Sequence, residues 1–174
     1  MILTLAAALD FQPVMAVAEV TTSNGKSYRV ETCFTDPTHL RTRFVYPDRS
    51  ATFTIDGETA TVAEDDKTPQ PAGDREKGFA FGHNFHAIHY NFGKVISDPD
   101  AAGRSGALIY GGQATSLPGE EGRASGYRFD LPGTTPIELK FSDWRQGGVP
   151  YRMKLTHARV TYDYRFAKVQ FTGC

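Results

Sequence analysis

What most constrains this chain is an alternation of apolar and polar residues that recurs along it. Val14, Ala16, Ala18 and Val20 share one parity, and so do Tyr28, Val30 and Phe34. The pattern returns at Leu40, Phe44 and Tyr46, at Phe53 and Ile55, and at Tyr127, Phe129 and Leu131. It continues through Ile137, Leu139 and Phe141, then Tyr151, Met153 and Leu155, then Val160, Tyr162, Tyr164 and Phe166. A period of two belongs to a strand with one face buried, because successive side chains point to opposite sides of a sheet. Val169 and Phe171 continue the last series on the opposite parity, which predicts a β-bulge near Ala167-Lys168.

The runs are separated by short turn signals. Ser23-Asn24-Gly25-Lys26 is a strong hairpin signal, and Asp36-Pro37, Pro47-Asp48 and Asp56-Gly57 break the chain at similar intervals. Connections this short favour antiparallel neighbours over βαβ crossovers, and about nine or ten strands are expected. Two stretches depart from the pattern. Residues 64–77 are polar, contain Pro69 and Pro71, and read as a loop, as do the Gly- and Glu-rich residues 115–125. Between them Phe81, Phe85, Ile88 and Phe92 step by four, three and four, which predicts a helix over 80–92 before a short strand at 107–110. Ile2, Leu5 and Leu9 fit one face of an N-terminal helix. Ala16-Val17-Ala18 also resembles a small-residue cleavage site, so residues 1–18 are open to either reading, mature helix or signal remnant.

The expected fold is mainly β (α+β), a single domain over 1–174. It is one highly curved antiparallel sheet, a half-open barrel, with an N-terminal helix and one central helix covering the concave face. Composition agrees. The 12 Phe and 8 Tyr suit a pleated, half-buried surface, and a chain of 174 residues is long enough to bury a large core. Lys plus Arg is 19 and Asp plus Glu 20, a net charge of −1. That balance supplies no general field for a phosphate backbone, so nucleic acid is not an expected partner. No apolar run approaches the roughly 20 residues of a membrane-spanning helix, so no transmembrane segment is expected.

Three stretches carry a family resemblance. These are Leu40 to Gly57, LRTRFVYPDRSATFTIDG, then Glu138 to Pro150, ELKFSDWRQGGVP, and the closing alternation VTYDYRFAKVQF. Together they resemble the LolA/LolB-type lipoprotein carriers and lipoprotein-sorting proteins. The resemblance implies a half-open barrel whose trough holds acyl chains or other apolar ligands. It also implies a periplasmic location, with the export signal removed or atypical, and a strand arginine that holds the lid, at Arg41 or Arg43. The inward residues expected to meet a ligand are Phe44, Tyr46, Phe53, Ile55, Phe129, Leu139, Phe141, Met153 and Leu155. Phe81, Phe85 and Ile88 of the predicted helix join them.

Catalytic signals are weak. His83 and His86 stand three apart on the predicted helix and are metal-ligand candidates, but His89 lies about 600° round the helix from His83. No third ligand is evident, no G-x-S-x-G occurs, and no cofactor is implied. Trp144 reads either as a rim aromatic or as a packed strand end. Cys33 and Cys174 match no metal or redox motif, and whether they pair is open. The expected function is non-catalytic binding of a lipid or other apolar ligand. The alternatives are an envelope interaction or sensor module with a protein partner, and a His-dependent metalloenzyme.

Overall fold

The computed structural model describes residues 12–36, 38–65, 67–73, 76, 113–119, 125–130, 135–145 and 149–172. They form eleven strands. The first six are β1 (Val14–Thr22), β2 (Ser27–Asp36), β3 (His39–Val45), β4 (Ser50–Asp56), β5 (Thr59–Glu64) and β6 (Gln70–Pro71). The rest are β7 (Gln113–Leu117), β8 (Gly126–Asp130), β9 (Ile137–Arg145), β10 (Val149–His157) and β11 (Val160–Gln170). All eleven belong to one sheet in the order β6-β5-β4-β3-β2-β1-β11-β10-β9-β8-β7, and every described pairing is antiparallel. The sheet is open and curved. Each strand twists against its neighbour by roughly 20–25°, which accumulates across so many strands.

The topology is two meanders laid side by side. The first walks outward from β1 to the β6 edge. The second walks inward from the β7 edge to β11, which closes against β1. The sheet therefore has its earliest and latest strands at its centre. Adjacent antiparallel strands need only short turns, and these turns are short. Gly25 and Gly57 take positive φ, +84° and +60°, at the β1–β2 and β4–β5 turns. At the β2–β3 turn the Asp36 carboxylate accepts hydrogen bonds from the Thr38 amide and hydroxyl, both at 2.7 Å, and lies 2.9 Å from His39 Nδ1. Partial burial pushes this carboxyl up, but the bonds from Thr38 and His39 outweigh it and hold it below the ordinary aspartate value.

The parity change in the last strand has its predicted cause. Val17 pairs with Lys168 but Ala18 pairs with Phe166, so Ala167 is the extra residue of a bulge. Gly126 answers to a different constraint. A Cβ there would collide with the Leu139 carbonyl and stand 2.9 Å from Lys140 Cα, so the start of β8 admits only glycine without moving β9.

Several expectations change. Residues 115–117, read as the start of a loop, belong to β7, which pairs with β8 through Ala114–Phe129 and Ser116–Tyr127. QATSL has little apolar alternation, and the hydrogen bonds of its neighbour make it a strand. Pro71, read as a loop residue, ends the short edge strand β6, where a missing N–H is tolerated. Ala16-Val17-Ala18 is the middle of β1, with Ala16 and Ala18 both 2% exposed. The helix reading of residues 1–18 therefore fails from Val14 onward. The rest of that helix, the helix over 80–92 and the strand at 107–110 lie outside the described residues.

Candidate functional site

Register places the buried side chains in rows across one face of the sheet. One row runs Phe141, Met153, Tyr164, Val20 and Tyr28 from β9 to β2, and the next runs Phe166, Ala18, Val30 and Phe44. A third runs Ala16, Thr32, Thr42 and Phe53, and a fourth Val14, Phe34, Leu40 and Ile55. Partners across an antiparallel pair share a face, so a single set of apolar side chains crosses the sheet.

Of the residues expected to face inward, Phe44, Phe53, Phe129, Leu139, Phe141, Met153 and Leu155 are all buried in this set. Tyr46 and Ile55 are partly buried against it. Phe81, Phe85, Ile88, His83 and His86 lie outside the described residues, as does the Trp144 side chain.

The inner face is uneven. Ala16 and Ala18 on β1 neighbour Thr32 and Val30 on β2, and Thr42 follows on β3. Phe34, Phe44, Phe53, Tyr28 and Phe166 stand around these short side chains. Short side chains thus occupy the centre of this face and aromatics surround them, and Ala16, Ala18, Thr32 and Thr42 are themselves at most 3% exposed.

Three tyrosines gather at one end of this face, a grouping that no local sequence signal announces. The rings of Tyr28 and Tyr46 are 5.0 Å apart, and the Arg49 guanidinium stands 5.2 Å from the Tyr46 ring. Burial raises the Tyr28 phenol far above its ordinary pKa, and the phenols of Tyr46 and Tyr162 add to the rise. The Tyr46 phenol is raised by burial and by Tyr162, while Arg49 opposes the rise. Tyrosines from β2, the β3–β4 turn and β11 thus give the apolar face one polar end.

Arg41 and Arg43 are exposed and alternate with buried Leu40, Thr42 and Phe44, so they point away from the apolar set. Arg41 lies opposite Cys33 and Arg43 opposite Glu31. From that side an arginine does not reach a segment laid over the apolar face. Cys33 is disulfide-bonded, and Cys174 is the only other cysteine in the sequence. Register explains the reach. Cys33 pairs with Met15, and Met15 with Gln170, four positions before Cys174. No group of three or more His, Cys, Asp or Glu side chains among the described residues is placed to hold a metal.

No protein-family model matches the sequence, and no curated protein matches it. Among solved structures the chain is similar to the lipoprotein LppX of Mycobacterium tuberculosis, at 14% identity and a TM-score of 0.41, covering 99% of this chain and 92% of that one. It is also similar to LprF from Mycobacterium bovis, at 14% identity and a TM-score of 0.37, covering 99% of this chain and 94% of that one. At such scores the likeness is loose.

Proposed function

We propose that this protein is a non-catalytic binder of a lipid, an acyl chain or another apolar ligand, held on the inner face of the sheet. The observation that carries this reading is the shape and chemistry of that face. Apolar side chains cross an open sheet, the short residues Ala16, Ala18, Thr32 and Thr42 occupy its centre, and aromatics flank them. An extended chain of methylenes fits a shallow apolar trough, and each buried methylene contributes about 0.8 kcal/mol. The polar end at Tyr28, Tyr46 and Tyr162 suits a ligand with one polar terminus. A periplasmic or otherwise oxidising location belongs to the same reading, and the Cys33 disulfide supports it, since such bonds persist where thiols are not kept reduced.

The test fills the trough. Ala18→Phe places a ring beside Val30 and Phe166. In a ligand trough it abolishes uptake of an environment-sensitive naphthalene dye, and lipid found by mass spectrometry on the unaltered protein no longer co-purifies. In a closed core the same change acts as overpacking, costs about 1–3 kcal/mol and leaves no ligand to lose. An unaltered protein that carries no lipid and takes up no dye ends the reading.

A further inference from the structure

The residues between the inward ones form a second surface with its own chemistry. Three ion pairs on it cancel locally: Arg29 with Glu31 at 2.7 Å, Arg128 with Asp130 at 3.0 Å, and Lys140 with Glu138 at 2.7 Å. What is left is uneven. Arg41, Arg43, Arg152, Lys154, Arg165 and Lys168 have no ion pair among the described residues, and only the carboxylates of Glu19 and Asp163 on this face share that state.

Register sets these charges in rows. Arg165 lies between Arg152 on β10 and Glu19 on β1, and Lys154 between Lys140 on β9 and Asp163 on β11. Each carboxylate faces one cation of a like-charged pair, and the second cation of each pair, Arg152 and Lys140, has a like charge across from it, which works against the sheet. Lys154, Arg165, Lys168, Arg41 and Arg43 are exposed, and Arg152 is half-buried. Exposed carboxylates gather elsewhere, with Asp56, Glu58, Glu64 and Asp65 at the turns and ends of β4 and β5. A chain with net charge −1 thus carries an outer face on which six cations and two carboxylates are left outside ion pairs among the described residues.

We propose that the outer face of β9–β11, extended by Arg41 and Arg43 on β3, docks the protein on a membrane surface of anionic lipid headgroups. The cations are spread over a broad sheet face and not lined along a groove. That layout suits laterally mobile headgroups, which rearrange to meet fixed charges, better than the rigid phosphate spacing of a duplex. The surface stands on the opposite side of the sheet from the apolar set, so the inference holds whatever that set binds.

The test is sedimentation of the full chain with vesicles of phosphatidylglycerol and phosphatidylcholine, against phosphatidylcholine alone. Binding is expected only to the anionic vesicles, and is lost near 1 M salt, where the Debye length falls to about 3 Å. Each juxtamembrane cation contributes about fivefold. The triple variant R152Q/K154Q/R165Q should therefore bind on the order of 100-fold more weakly. K67Q, on the β5–β6 side and paired with Glu64 at 3.7 Å, is the control and should bind as the unaltered chain does. Dye uptake by the triple variant should not change, which separates this inference from the ligand reading. Equal binding to both vesicle types, an unweakened triple variant, or tighter binding to duplex DNA than to anionic vesicles would overturn it.

Discussion

The inner and outer faces of the sheet are made of alternate residues on the same strands, and they answer to different demands. On the inner face Phe129, Leu139, Met153 and Tyr164 are all 0% exposed, so a change of side-chain volume there is felt by the neighbours. On the outer face the β1–β3 side sets opposite charges across from each other, Glu19 with Arg29 and Glu31 with Arg43. The β9–β11 side also sets like charges across, Arg152 with Arg165 and Lys140 with Lys154, beside the opposite pair of Lys154 with Asp163. The inner face thus determines whether the chain folds. The outer face, largely released from packing, is free to carry an arrangement that costs a little stability.

That contrast breaks first at Phe129. The ring is 0% exposed and stacks with Tyr127 at 6.3 Å. Phe129→Ala should cost about 3–5 kcal/mol by urea unfolding, and a cost below about 1 kcal/mol would mean the inner face is not a packed core. Next in size is the disulfide. It closes a loop over most of the chain, so Cys33→Ser should remove about 2–4 kcal/mol. Two titratable thiols in the unaltered protein, with an unchanged melting temperature under reductant, would contradict it.

A gain is expected at the β10–β11 turn. Ala158 and Arg159 link paired His157 and Val160 with φ of +48° and +68°, a geometry that favours Asn and Gly. The double change Ala158→Asn, Arg159→Gly should stabilise the protein by about 1–2 kcal/mol in thermal melts. A loss of stability would show that the Ala-Arg side chains make contacts that outweigh the backbone strain.

The tyrosine cluster predicts an alkaline effect. The folded-state pKa values of Tyr28 and Tyr46 lie above the unfolded value of about 10. The stability they contribute is then complete below that pH and is lost as pH rises through the folded values. Tyrosinate absorbance from Tyr28 and Tyr46 should appear only as the sheet unfolds, and its appearance in the folded protein would contradict the cluster. The smallest effect is expected on the outer face. Arg165→Gln removes a cation that faces Arg152 on one side and Glu19 on the other, and should change stability by no more than about 0.5 kcal/mol in either direction. A large loss would place Arg165 in the packing and remove the contrast between the faces.

The sequence by itself determined nine of the eleven strands (β1–β5 and β8–β11), their inward faces and the bulge at Ala167. These follow from the period of two and from a parity change, both local properties of the backbone. It also supplied the turn residues, because Gly25 and Gly57 stand where φ must be positive. Only the tertiary structure decided which strands are neighbours. Nothing local to Val14–Thr22 says that it pairs with β11, or that β6 and β7 become opposite edges. For that reason β7 was hidden, since QATSL takes its strand character from β8. The facing of Arg152 with Arg165 and the meeting of Tyr28, Tyr46 and Tyr162 were hidden too. Each brings together residues far apart in the chain. Alternation fixes a side chain's face, but the partner across from it depends on long-range pairing that burial of the whole apolar face selects.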